Sequence, residues 1–214
     1  MRSQPDDGLL RRRTLILGAV ATVGSASVLA LSGCAPEAAP VATGSATPAP
    51  LTWEQLTDMV DGSVLRYADP GYGDARLVQN PRYDSARPDG ILMAASAQDV
   101  VLGLAFARGA GVPVAIRSGG HSYPGWSAGG ADGTDVPPSL VINLSGLAGI
   151  GLAGDVLTVG PGAPLASVYS ALGAAGRAIG SGSCGTVGIG GITLGGGVGV
   201  LSRSFGLTAD QLTA

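Results

Sequence analysis

The chain carries one histidine and two cysteines in 214 residues. His121 sits in Arg117-Ser118-Gly119-Gly120-His121-Ser122. Cys184 sits in Gly182-Ser183-Cys184-Gly185-Thr186-Val187-Gly188, at the head of a glycine-rich run. The only imidazole, and the only thiol outside the N-terminal stretch that holds Cys34, are thus both in loops where glycine lets backbone approach a ligand closely. Successive backbone N–H groups in a loop such as Ser118-Gly119-Gly120 form a concave anion nest, suited to a pyrophosphate. Ser118 and Ser122 can add hydroxyl donors. Arg117 can offer positive charge or point away.

Each feature also has an ordinary reading. Taken singly, the glycine loop is a turn, His121 a hydrogen-bonded loop histidine, and Cys184 a small buried residue. Export would change the last case. A lone reactive thiol in an oxidising compartment is a liability unless it is buried or already bonded.

Composition narrows the function classes. Charged residues make up 13%, aromatics 4%, and 37 residues are glycine, interleaved with Val, Ile and Leu. That points to a packed core of small side chains with many turns. The formal charge is -3 and the arginines of the main body are scattered singly. No basic stripe exists to follow a phosphate backbone, so a nucleic-acid partner is not expected. There is no lysine, which excludes a Walker A loop and a lysine Schiff base. Gly180-Ser181-Gly182-Ser183-Cys184-Gly185 matches G-x-G-x-x-G formally. No clear strand precedes it and no acidic residue follows at about 20 residues, so the dinucleotide reading fails.

The first 34 residues read as a leader. Arg11-Arg12-Arg13 precedes an uncharged stretch, residues 15–33, that resembles a twin-arginine export signal. Leu31-Ser32-Gly33-Cys34 resembles a bacterial lipoprotein box, which implies lipid on Cys34 and anchorage at the outer face of the cytoplasmic membrane. An uncleaved membrane helix is the alternative, since about 19 residues could just span a bilayer. Residues 35–50, rich in Ala, Pro, Thr and Ser, read as a flexible tether.

Elements that must position the two loops follow from residue 51 onward. Thr52 and Gln55 fit a capping box opening a helix over residues 53–60. Residues 62–88 read as irregular. Residues 91–95 form a strand, and Ser96 caps a helix over 97–109 with Val100, Val101, Leu104 and Ala107 on one face. Gly111 and Pro113 end it before the strand Val114-Ala115-Ile116, which delivers the histidine loop. Residues 140–144 and 156–160 are further strands, and Pro164 sits in the first turn of a helix running to about Ala174. Strands with one or two helices in this order suggest an α+β fold.

The runs Pro113-Val114-Ala115-Ile116-Arg117-Ser118-Gly119-Gly120-His121-Ser122-Tyr123 and Cys184-Gly185-Thr186-Val187-Gly188-Ile189-Gly190-Gly191 together resemble the p-cresol-methylhydroxylase-type FAD-binding domain in its berberine-bridge-enzyme-like branch. So do Leu194-Gly195-Gly196-Gly197-Val198-Gly199, Arg203 and Gly206-Leu207-Thr208-Ala209-Asp210. The resemblance covers residues 51–214.

It implies FAD bonded twice, through a ring nitrogen of His121 and the sulfur of Cys184. It also implies a pyrophosphate held by Ser118, Gly119, Gly120 and Ser122 beside Arg117. Gly185, Thr186, Val187, Gly188 and Gly191 would line the flavin with backbone. The activity implied is hydride transfer from an alcohol, sugar or similar small molecule to the flavin, then to oxygen. Family members are more than twice as long, so the resemblance implies an incomplete domain without its substrate domain or catalytic base. Two readings compete: a short, inactive remnant lipoprotein, and a singly linked or noncovalent flavin relative in which Cys184 is structural.

Overall fold

The computed structural model describes residues 50–213. The leader over 1–34, and all of the 35–50 tether but its last residue, lie outside the described residues.

The body is built on a four-stranded mixed sheet with a two-stranded hairpin beside it. Helix α1 (Trp53–Met59) opens with the expected capping box between Thr52 and Gln55. The stretch read as irregular holds three short elements. They are β1 (Ser63–Leu65), one helical turn, α2 (Tyr72–Ala75), and a 3-10 turn at Pro81–Tyr83. Strand β2 (Gly90–Met93) leads into α3 (Ala97–Ala110) and then β3 (Val114–Arg117). Strand β4 (Leu140–Asn143) runs between β2 and β3, parallel to both, giving the order β1-β2-β4-β3 with β1 antiparallel at one edge.

The sheet faces follow from the pleat. Leu92, Leu140 and Ile142 point to α3 and meet Phe106, Ala107 and Leu56 in one core. Ile91, Val141 and Ala115 point the other way and pack on Tyr72 of α2. The buried positions of α3 are Asp99, Gly103, Phe106 and Ala107, whereas Val101 and Leu104 are exposed. The helix therefore presents a different face from the one its aliphatic residues suggest. It is apolar nearly all round, and Gly103 decides the approach. A Cβ there would lie 2.7 Å from Leu92 Cδ2 and 3.2 Å from Ile142 Cδ1.

Asp99 holds the start of α3. Its buried carboxylate accepts from the amides of Ala95, Asp61 and Gly62 and from the Ser96 hydroxyl. It thereby ties the end of β2 and the α1–β1 turn to the helix N-terminus, while the Ser96 hydroxyl takes the Asp99 amide.

Beyond β4 the chain forms the hairpin of β5 (Ile150–Ala153) and β6 (Val156–Val159), then α4 (Leu165–Ala174). Two short helices follow, α5 (Ile189–Leu194) and α6 (Ser202–Phe205). A separate apolar core joins Ala163, Leu165, Val168 and Leu172 to Ile189. This core carries the cysteine loop, as the four-stranded sheet carries the histidine loop through β3.

Candidate functional site

The histidine loop leaves the C-terminal end of β3, where Arg117 stands beside Asn143 of β4. Ends of parallel strands are where open sheets place ligands. Arg117 resolves its two possible roles. Its guanidinium is buried and donates to the backbone carbonyls of Ser127, Ala75, Leu77, Arg76 and Ala128. Burial pushes its pKa down to about 10, so it stays charged at neutral pH. Arg117 is thus a clamp on the loops around the strand end, its donors committed to protein rather than to a ligand.

Past Arg117 the loop is held by few bonds of its own. Gly120 adopts a left-handed φ of 71°, and its carbonyl accepts from Gln79. Among the described residues, the amide N–H groups of Gly119, Gly120 and His121 make no hydrogen bond to protein. Three successive amides therefore lack a protein partner, a prerequisite for a nest. The Ser118 hydroxyl donates to Pro161 carbonyl at 2.5 Å and so is tied down. Ser122 Oγ accepts from the Trp126 amide, leaving its proton to give.

The cysteine loop is stitched to the segment that starts α4. Leu165 and Ala166 donate their amides to the carbonyls of Val187 and Gly185, and Ile189 and Gly190 donate to Ala163 and Pro161. Proline at the N-cap offers α4 no side-chain cap, so these carbonyls serve its first turn instead. Cys184 itself closes a tight turn, its carbonyl accepting from Val187.

Glycine then joins the two loops. A Cβ on Gly119 would lie 2.2 Å from the backbone nitrogen of Gly188, and one on Gly188 would lie 1.9 Å from Ser118 Oγ. With the backbones in contact, the side chains converge. The Thr186 hydroxyl lies 2.9 Å from His121 Nε2 and 3.5 Å from Cys184 Sγ. The thiol is exposed, and the Thr186 hydroxyl, followed by the amides of Thr186 and Val187, holds it below its ordinary pKa.

A cavity of about 400 Å³ opens beside this junction. It is lined by Ser118, Gly119, Gly120, His121, Asn143 and Thr186, with Asp74 and Gln79 from the α2 side. A larger hollow of about 850 Å³ beside Trp53, Arg66 and Tyr67 includes neither His121 nor Cys184. The smaller one is the cavity that the histidine loop lines.

Of the expected residues, Arg117, Ser118, Gly119, Gly120, His121 and Thr186 line the cavity, and Cys184 joins them through Thr186. Gly185 and Val187 turn their carbonyls to α4. Gly188 is the backbone partner of Gly119. Gly191 lies in α5 with open space beyond its Cα. The α2-side lining was not legible, because nothing in residues 74–79 marks them as neighbours of a loop 40 residues on.

A family model described as an FAD binding domain matches residues 88–214. The chain belongs to the FAD-binding-domain family. The donor set agrees on its own terms: free amides for a diphosphate, glycine backbones flat against each other, and an imidazole and a thiol meeting at one hydroxyl. Among FAD-binding-domain relatives, the chain is 36% identical over 71% of its length to an uncharacterized FAD-linked oxidoreductase, YgaK, of Bacillus subtilis, covering 32% of that protein. It is 37% identical to berberine bridge enzyme-like D-1 of Nicotiana tabacum, over 63% of this chain and 24% of the relative. The wild-type BBE-like 1 structure of Physcomitrella patens superposes with a TM-score of 0.66 at 34% identity, over 75% of this chain and 34% of that one. The expected α+β architecture and the berberine-bridge-enzyme-like resemblance both stand. The chain spans roughly a quarter to a third of the curated relatives it matches.

Proposed function

We propose that this chain is the flavin-holding part of an exported FAD-dependent oxidase whose cofactor is bonded to both His121 and Cys184. The observation that carries the reading is the meeting of the imidazole and the thiol at Thr186. Residues 65 apart in sequence are brought to one hydroxyl, next to a loop with free amides. Gly119, Gly120 and the Ser122 hydroxyl would hold the pyrophosphate. Thr186, Gly188 and Gly191 would present backbone to the flavin, with Gly185 and Val187 fixing that wall onto α4. Arg117 would hold the loop in shape rather than touch phosphate.

When bound, the FAD would accept a hydride from an alcohol, sugar or similar small molecule and pass the electrons to oxygen. The protein supplies position: a shaped groove at the strand ends and two tethers that replace much of the enclosure a loose cofactor needs. The twin-arginine-like run at Arg11-Arg12-Arg13 and the box ending in Cys34 support export and attachment to the outer face of the membrane through lipid.

The intact mass of the denatured protein, taken from the native membrane fraction, tests this reading. Polypeptide carrying the mass of one FAD supports it. Polypeptide with lipid and no flavin overturns it.

A further inference from the structure

We propose that Cys184, Thr186 and His121 form a proton relay that makes Cys184 a thiolate at neutral pH, with Thr186 as its positioning residue. That the thiolate sulfur is the atom that bonds flavin rests on the flavin-attachment reading above. The relay itself does not.

The argument starts from the inventory of donors and acceptors. A threonine hydroxyl has one proton to give and two lone pairs to accept with. Thr186 Oγ1 sits 3.5 Å from Cys184 Sγ and 2.9 Å from His121 Nε2. With the thiol protonated, S–H donates to the hydroxyl oxygen and the hydroxyl donates to an unprotonated Nε2. Moving both protons one step along reverses the chain. The S–H bond breaks as an O–H bond forms, and the original O–H bond breaks as an N–H bond forms. The products are a thiolate accepting from the hydroxyl and an imidazolium donating to it. No electron leaves or enters, and the hydroxyl is regenerated.

The surroundings favour the charged pair. The backbone N–H groups of Thr186 and Val187 add to the Thr186 hydroxyl in lowering the thiol, since donors near the sulfur favour its charged form. The other titratable groups nearby are few. Asp74 and Arg117 line the cavity beside His121. Arg117 is committed to backbone carbonyls, and Asp74 brings a carboxylate to the cavity lining. On the α4 side, Tyr169 gives its hydroxyl proton to the Gly182 carbonyl. Among the described residues, none of these three hydrogen-bonds Cys184 or Thr186. The relay is also built into the fold, because the Gly119–Gly188 contact fixes the two loops that hold its ends.

The test is alkylation of Cys184 by iodoacetamide across pH 5–9, on the full chain purified without flavin. Modification is assigned to Cys184 by peptide mass, and Thr186→Val, Thr186→Ser and His121→Ala are compared with the parent. At pH 6 an ordinary thiol is almost wholly protonated. The parent should react there at least about tenfold faster than Thr186→Val, since each unit of thiol pKa is tenfold in thiolate. Serine keeps the hydroxyl and should restore the parent profile. His121→Ala should move the profile toward that of an ordinary thiol.

A parent that titrates like an ordinary thiol overturns the relay, as does a valine variant with an unchanged profile. Should the valine variant not fold, His121→Ala decides alone, since an unchanged profile there removes the histidine from the chain of bonds. Alkylation and intact mass fail independently. A flavin adduct with an ordinary thiol profile sinks only the relay, and a reactive thiolate with no adduct sinks only the attachment.

Discussion

Gly119 and Gly188 lie backbone against backbone, with a Cβ on the first reaching 2.2 Å from the nitrogen of the second. A Cβ on Gly119 meets main chain, and one on Gly188 meets the Ser118 side chain at 1.9 Å and the Gly119 nitrogen at 2.4 Å, so rotating Ser118 alone relieves neither. Gly119→Ala or Gly188→Ala should force the loops apart at a cost of about 1–3 kcal/mol. The expected outcome is a lower denaturation midpoint together with loss of retained flavin. Alanine at Gly191, which meets nothing within 4 Å, should leave the midpoint within about 0.5 kcal/mol.

Asp99 should make stability fall in acid. Burial pushes its carboxyl up, but the amides of Ala95 and Asp61, the Ser96 hydroxyl and the Gly62 amide outweigh that and hold it below the ordinary aspartate range. The unfolded chain therefore takes up the proton first. The stabilisation is complete above the ordinary aspartate pKa, about 3.9, and is lost as pH falls through the lower folded value. Asp99→Asn should cost about 1–3 kcal/mol at pH 7 and flatten the decline. Melting temperatures of both proteins between pH 7 and pH 3 read this directly. Parallel curves would show that Asp99 is not the group responsible.

Arg117→Lys keeps the charge and loses the fork. One ammonium cannot serve carbonyls from both the 75–77 and 127–128 segments in the geometry a guanidinium allows. The expected cost is about 2–3 kcal/mol, since hydrogen bonds to charged groups are worth about 1.5–3 kcal/mol each. Urea unfolding measures it. If Arg117 acted mainly on phosphate, lysine would instead spare stability and weaken only FAD binding.

Much of this was legible from residue patterns, and what was not has physical causes. The capping box at Thr52 and the helix cap at Ser96 are local, and both formed as expected, the latter as a box completed by Asp99. Strands β2, β3, β4 and β6 announce themselves by runs of branched aliphatics. Strand β1 is three residues long and exists by pairing with β2, and β5 is a glycine-containing strand held by β6. Helix α5 reads as Ile-Gly-Gly-Ile-Thr-Leu, a poor helix former whose start is secured by Pro161 and Ala163 carbonyls. The same limit applied at the site. His121 and Cys184 stood out because they are rare. The hydroxyl of Thr186 did not, because its importance lies in the distances to two side chains on separate loops.

The 65-residue separation between His121 and Thr186 also sets a timetable. During synthesis the anion nest emerges from the ribosome well before its covering loop. Glycine contacts that close so long a stretch of chain form only once α4 is in place to receive the cysteine loop. A nascent chain paused before residue 184 would display the nest alone, open on the side where Gly188 belongs. Closure of the nest therefore waits until the segment holding Thr186 and Gly188 has emerged.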